Sequence, residues 1–150
     1  MNRINMPFAG LIAQLIKLNE DREQQYHFFS IVCYHQKIRE ICDKLSRESA
    51  DNLEALNRLV IISPQYLKLC PPFTVSPASW NELNAAKDLP DSNFAVIIIN
   101  RIESRFAALY QSLFSSFPGD QEDAAVLIRS QYRELLKSKS TITHLFMHLN

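Results

Sequence analysis

Residues 21–45, DREQQYHFFSIVCYHQKIREICDKL, decide the fold class of this chain. Large side chains recur here every three or four residues, which is the spacing that aligns them along one face of an α-helix. Polar and charged residues occupy the opposite face, so the segment is predicted to be one long amphipathic helix. The inward stripe consists of Phe28, Ile31, Val32, His35, Ile38, Ile41, Cys42 and Leu45.

Helical spacing continues on both sides of this segment. It predicts a short first helix over residues 7–18, ended by the polar cluster at 19–21, and a third helix that begins at Ser49 or Asp51. A second long helix is predicted over residues 91–117, with a short helix before it. Another helix is predicted to begin near Asp120, and a separate last helix is predicted from about Thr141. Each predicted boundary rests on polar residues that commonly cap helices or on prolines that end them.

Glycine is scarce, with 2 glycines in 150 residues against a usual content of about 7%. Hairpin turns and phosphate-binding loops use the conformational freedom of glycine, whereas helices do not. The proline-rich stretch 70–77 is the clearest non-helical connection. The sequence therefore predicts an all-α fold, an irregular bundle of about five to seven helices with two long ones. One domain over 1–150 is expected, with helical halves 1–69 and 77–150 joined by 70–77.

The charge balance argues against several partners. Lys and Arg number 16, Asp and Glu number 16, and the formal net charge is zero. A protein that binds many phosphates needs a basic excess, so nucleic acid is not the expected partner. The longest apolar run, residues 94–99, is far shorter than the ~20 residues of a membrane helix, so no membrane span is expected. No motif indicates a small molecule or cofactor.

The cysteines bear on the cellular compartment. Cys33, Cys42 and Cys70 are odd in number, widely spaced and set among apolar residues. Such cysteines are typical of buried free thiols rather than of a disulfide framework. A reducing, cytoplasmic location is therefore expected.

A surplus of large apolar residues provides the leading functional hypothesis. A helix that is apolar on more than one face is either central in its own core or covered by a partner. The chain is therefore predicted to be a non-enzymatic protein-protein interaction module, namely an adaptor, chaperone-like or regulatory subunit that binds another protein or itself. No catalytic, cofactor or metal residue is predicted under this hypothesis. The predicted partner-binding residues are Phe8, Leu11, Leu15, Tyr26, Phe29 and Tyr34.

A DNA-binding regulator is an alternative interpretation. Residues 79–105 have the outline of a helix-turn-helix, with a short helix, a break at 89–92 and a second helix. The second helix begins with an apolar run, so few of its side chains could reach base edges. The residues that would do so are Asn93, Asn100, Arg101 and Arg105.

A small helical enzyme or metal protein is the remaining alternative. His144 and His148 are four residues apart, so a helix would place both rings on one face as two ligands for zinc. A third ligand is not evident in the sequence. His35 and Cys42 lie two helical turns apart, too far for direct contact. The acidic clusters at 20–23 and 120–123 are predicted to lie at helix starts, where negative charge favours the helix dipole.

Overall fold

The computed structural model of the protein describes residues 6–62, 77–89, 92–116 and 122–148. These residues contain no strand and are helical almost throughout, so the predicted all-α class is confirmed. Pro77, the last residue of the predicted proline-rich connection, is the first residue of a helix, and the rest of that connection lies outside the described residues. The α-helices are α1 (Met6–Val32), α2 (Gln36–Ile62), α3 (Pro77–Ala85), α4 (Ser92–Ser116) and α5 (Glu122–His148), and a 3-10 turn, Ala86–Asp88, follows α3.

The four long helices share one core. Helix α1 packs mainly on α2 and α4 mainly on α5, while α1 also contacts α4 and α2 also contacts α5. Because α1 and α5 pack on the same two helices, they lie diagonally across the core from each other. Helix α3 completes the core through Trp80, whose ring meets the Tyr26 ring edge-on at 5.3 Å between centroids. The buried apolar residues form one cluster to which all five helices contribute.

Three predicted helix boundaries are wrong. Helix α1 runs through the polar cluster at 19–21, and α2 runs through Ser49 and Asp51, so each helix is 27 residues long. The acidic cluster at 20–23 therefore lies in mid-helix rather than at a helix start. Two of the polar residues that suggested caps lie inside the protein instead: Ser49 is fully buried and Asn19 is 1% exposed. Likewise, α5 continues without a break through residue 141, where a separate last helix was expected.

The actual break falls at residues 33–35, within the segment that the apolar stripe predicts to be one helix. A tertiary contact takes the place of the helical hydrogen bonds here, since the Tyr34 amide donates to the Lys87 carbonyl oxygen at 3.0 Å. The next turn begins where the Arg39 amide donates to the carbonyl of His35, also at 3.0 Å. No described residue has a positive φ. The corner therefore forms without glycine or proline and leaves no local signal in the sequence.

No helix within the described ranges is both long enough and apolar enough to cross a membrane.

Candidate functional site

A set of polar side chains runs through the interior where α1, α2, α4 and α5 meet. At its centre Arg22 is 1% exposed and Glu103 is fully buried. Arg22 Nε donates to Glu103 Oε2 at 3.1 Å and Nη2 donates to Oε1 at 2.5 Å, so this ion pair is bidentate. We name the whole set the buried polar network, which comprises Asn19, Arg22, Tyr26, Glu48, Ser49, Asn52, Glu103, Tyr110, Gln131 and Ser138.

Every N–H of the Arg22 guanidinium has an acceptor. Beyond the Glu103 pair, Nη1 donates to Ser49 Oγ at 2.8 Å and to the Leu45 carbonyl at 3.3 Å. Nη2 also donates to Glu48 Oε1 at 3.0 Å. The carbon at the centre of the guanidinium lies 5.5 Å from the centroid of the Phe106 ring, within cation–π range. Because all its donors are used, this buried cation avoids the cost of an unsatisfied charge.

Asn19 joins the same network to the other helices. Its Nδ2 donates to the Tyr110 hydroxyl at 3.2 Å, and its Oδ1 accepts from Ser49 Oγ at 3.0 Å and from Asn52 Nδ2 at 3.2 Å. The Tyr110 hydroxyl then donates to Gln131 Oε1 at 2.7 Å. The network thus links all four long helices through side-chain hydrogen bonds.

Burial perturbs the ionisable members of the network. Burial alone lowers the pKa of Arg22, but the charge and hydrogen bond of Glu103 outweigh that effect and raise the pKa overall. Burial raises the pKa of Tyr26 well above its ordinary value, and the negative charge of Glu103 adds to the increase. Burial also raises the pKa of Tyr110, although the hydrogen bond from Asn19 opposes it. Both phenols therefore stay protonated, as their donor roles require.

The buried polar network lies inside the protein. Its members are buried, and the most exposed carboxylate, Glu48, has 14% of its side chain accessible. A cavity of about 30 Å³ between α2 and α5 touches Ser138. That volume suits one water molecule, whereas ligand pockets take roughly 300–1,000 Å³. We therefore assign the network to fixing how the helices pack.

The structure separates the residues predicted to bind a partner. Leu15, Tyr26 and Phe29 are each 0% exposed and belong to the chain's own core, so these side chains do not lie on its surface. The second apolar face that they suggested is the face of α1 that packs on α2, α3 and α4. Tyr34, by contrast, is exposed. The side chains of two further predicted residues, Phe8 and Leu11 of α1, fall outside the described side chains.

One region of exposed apolar surface lies at the end of α1 that meets α2, and other exposed apolar residues, such as Ile61 and Ile62, lie elsewhere. Phe28 is 46% exposed, Ile31 is 63% exposed and Tyr34 is 76% exposed. Phe28 and Ile31 are one turn apart on the outer face of α1, and Tyr34 follows in the connection to α2. We name these three residues the corner patch. Phe28 and Ile31 were missed as surface residues because the apolar stripe predicts one continuous helix, whereas the break at 33–35 lets α1 turn a different face inward.

The corner patch sits on a fixed backbone. Besides the amide hydrogen bond of Tyr34, His35 Nε2 donates to the Leu89 carbonyl oxygen at 3.1 Å. The rings of Tyr34 and His35 meet edge-on with centroids 5.4 Å apart. These contacts tie the corner to the segment that follows α3, so the exposed side chains are presented by an ordered turn.

The segment proposed as a helix-turn-helix does contain two helices, α3 and α4, separated by a turn. The candidate DNA-contacting residues are differently placed. Arg101 Nη1 donates to Glu82 Oε2 of α3 at 2.9 Å, so its charge has a partner within the chain. Arg105 is exposed and Asn93 is half-buried. The Oδ1 atom of Asn100 is buried, so this oxygen is not exposed toward a groove of DNA.

The histidines and cysteines show no catalytic or metal arrangement within the described part of the chain. No group of three or more His, Cys, Asp or Glu side chains described here could hold a metal ion. His144 lines an open depression of about 460 Å³ on α5, and the side chain of His148 is not among those described. Cys33 and Cys42 are buried free thiols. Burial raises the pKa of both, which disfavours the nucleophilic thiolate.

No protein-family model matches the chain, and no curated protein is significantly similar to it.

Proposed function

We propose that the chain is a non-enzymatic protein-protein interaction module in which a bundle of four long helices presents the corner patch to another protein. Its role would be that of an adaptor, a chaperone-like protein or a regulatory subunit. The observation that supports this proposal is the exposure of three large apolar side chains, Phe28, Ile31 and Tyr34, beside a core that is already filled.

The size of the corner patch is consistent with a binding site. From their exposed fractions, the three side chains leave roughly 350 Å² accessible, since a large side chain exposes about 200 Å² when free. Covering that area would contribute about 9 kcal/mol before the costs of association are subtracted. The largest apolar patch on a monomer is usually about 300–600 Å² and is often functional. The buried free thiols Cys33 and Cys42 support a reducing compartment, which is the cytoplasm in our proposal.

Site-specific photocrosslinking in the native host tests the proposal. A photoreactive residue replaces Ile31 in one strain and Lys37, an exposed residue at the start of α2, in the matched control. We expect Ile31 to capture one predominant protein that mass spectrometry identifies. The purified candidate should then bind the wild-type chain, and the double variant Phe28→Ser, Ile31→Ser should bind it at least about tenfold more weakly.

Two results would contradict the proposal. One is capture at Ile31 that does not exceed capture at Lys37. The other is a candidate partner that binds the double variant as tightly as it binds the wild-type chain, with both proteins showing the same helical content by circular dichroism.

A further inference from the structure

The outer faces of α1 and α5 carry opposite charge. On α1, the acidic residues Glu20, Asp21 and Glu23 precede the corner patch residues Phe28 and Ile31 by about one to three helical turns. Asp21 is paired with Lys17 at 3.1 Å, whereas Glu20 has no ion pair with any described residue. We name Glu20, Asp21 and Glu23 the acidic face.

Helix α5 carries the complementary charge. Arg129, Arg133 and Lys137 are exposed and follow one another at four-residue spacing, which aligns them along one side of the helix. Lys137 pairs with Glu134 at 3.2 Å, but Arg129 and Arg133 make no ion pair with any residue that the structure describes. Like charges at this spacing destabilise a helix when they stand alone. We name Arg129, Arg133 and Lys137 the basic face.

We infer that the acidic face of one copy of this chain docks on the basic face of a second copy, with α1 and α5 antiparallel. Along α1 the order is acidic and then apolar, while along α5 the apolar residue Val126, which is 56% exposed, precedes the basic residues. An antiparallel arrangement therefore brings apolar residues together at one end and opposite charges together at the other. This inference rests on the proposed function, since Phe28 and Ile31 supply the apolar end of α1.

The spacing along the two helices agrees with this arrangement. At 1.5 Å of rise per residue, Glu20 and Phe28 are about 12 Å apart along α1, and Val126 and Arg133 are about 10.5 Å apart along α5. Phe28 can therefore lie against Val126 while Glu20 lies against Arg133. A zero net charge on the whole chain means that the separated faces attract without an overall repulsion between copies.

The placement of the two helices sets the form of the assembly. Because α1 and α5 lie diagonally across the core, their outer faces point away from each other and one copy cannot satisfy both. Each added copy then leaves one acidic face and one basic face free, so association is head-to-tail and continues beyond the dimer unless a ring closes. A contact of one helix on one helix falls at the small end of interface sizes, which corresponds to micromolar or weaker affinity.

Sedimentation velocity of the purified full chain tests the inference. At low salt we expect the average mass to rise with concentration from the monomer mass of 17.3 kDa past that of a dimer, or to a closed ring, and to fall again in about 0.5 M salt. Arg133→Glu should weaken the association about tenfold, and Glu20→Arg should do the same. Lys37→Glu, an exposed charge change away from both faces, should have no effect.

Mixing the two charge-reversed variants separates loss of the interface from loss of folding. Each single variant alone should associate about tenfold more weakly than the wild-type chain, whereas an equimolar mixture of Glu20→Arg and Arg133→Glu should regain the wild-type assembly, because every contact is again between opposite charges. A wild-type chain that stays monomeric at all concentrations would overturn the inference, as would a mixture that stays monomeric.

One further result would assign the basic face to a different partner. Binding of duplex DNA by a monomeric wild-type chain, lost in Arg133→Glu, would give the basic face to nucleic acid and overturn the inference. Failure of the proposed function can be told apart from failure of this inference. If the chain is monomeric but Ile31 still captures one partner, only self-association is rejected. If capture at Ile31 does not occur, the proposed function is rejected.

Discussion

Replacing Arg22 by methionine should destabilise the protein more than almost any other single change. The guanidinium is 1% exposed and donates to Glu103, Glu48, Ser49 and a backbone carbonyl. Arg22→Met leaves the Glu103 carboxylate buried with the Tyr26 hydroxyl as its remaining donor in the network. Removing one partner of a buried ion pair costs about 3–5 kcal/mol, because the other charge is left uncompensated.

Urea unfolding followed by circular dichroism measures this cost. Since folded domains are stable by about 5–15 kcal/mol, the variant should lose a large share of its free energy of unfolding. For a chain of this size each kcal/mol lowers Tm by about 2–4 °C, so Tm should fall by about 12 °C. Arg47→Met is the matched control, because Arg47 is 78% exposed and its pair with Asp43 should contribute less than about 1 kcal/mol.

The double variant Arg22→Met, Glu103→Leu separates the charge from the packing. Apolar replacement of both partners of a buried pair is often neutral or stabilising, so the double variant should be more stable than Arg22→Met alone. The recovery should be incomplete, because Tyr26 loses the acceptor of its hydroxyl. An Arg22→Met variant within about 1 kcal/mol of the wild-type chain would refute the reasoning. So would a double variant whose loss equals the sum of the two single losses.

Three further outcomes follow from the burial pattern. Phe28→Ala should lower the free energy of unfolding in urea by under about 1 kcal/mol, whereas the neighbouring change Phe29→Ala should lower it by about 3–5 kcal/mol. The reason is that Phe28 is 46% exposed and Phe29 is 0% exposed. Equal losses would contradict the assigned core face of α1. Above pH 10 the free energy of unfolding should fall as pH rises, because the unfolded chain loses the Tyr26 proton near pH 10 and the folded chain retains it. The contribution of this group should approach about 1.4 kcal/mol per pH unit. Tyr26→Phe should fall less steeply over the same range, and an identical slope would reject the raised pKa. Mass spectrometry should show that Cys42 reacts with iodoacetamide much more slowly in buffer than in urea at neutral pH, because the thiol is buried with a raised pKa; equal rates would show that it is accessible.

The fold class could be predicted from the sequence because it depends on periodicity and on scarce glycine, and both are local properties. The helix ends could not. Asn19 and Ser49 are residue types that commonly cap helices. A cap explains a polar residue between two apolar stretches from the local sequence alone, whereas a buried hydrogen bond to another helix cannot be read from the local sequence. The same polar residue is equally suited to a helix interior when another helix supplies its hydrogen bonds, as Asn52 and Tyr110 do here.

The buried ion pair was also beyond prediction from the sequence. Arg22 lies between acidic neighbours on a predicted surface, and 81 positions separate it from Glu103. The spacing of Arg22 does not distinguish a buried charge from an exposed one, and charged residues are rarely buried unless they are paired. One signal was present: Glu103 directly follows Ile102 and lies three residues before Phe106, so helical spacing places it on the same side of α4 as these two apolar residues.

Of the candidate partner-binding residues with described side chains, only Tyr34 lies on the surface. Leu15, Tyr26 and Phe29 are predicted to bind a partner because their helix is apolar on more than one face. Whether a second apolar face needs a partner depends on how many helices of the same chain pack on that helix. With α2 and α4 both packed against α1, along with α3, the chain itself covers most of those faces, and the uncovered remainder is the short stretch at the end of α1.

The connection at residues 33–35 also bears on the order in which the chain folds. Pairing α1 with α2 closes only a short loop. The contact between Arg22 and Glu103 joins residues 81 positions apart, and such distant contacts form more slowly. An early intermediate of α1 and α2 would expose an arginine that is destined for burial. Glu48 and Ser49 of α2 already contact that guanidinium, so they can hold its charge until α4 docks.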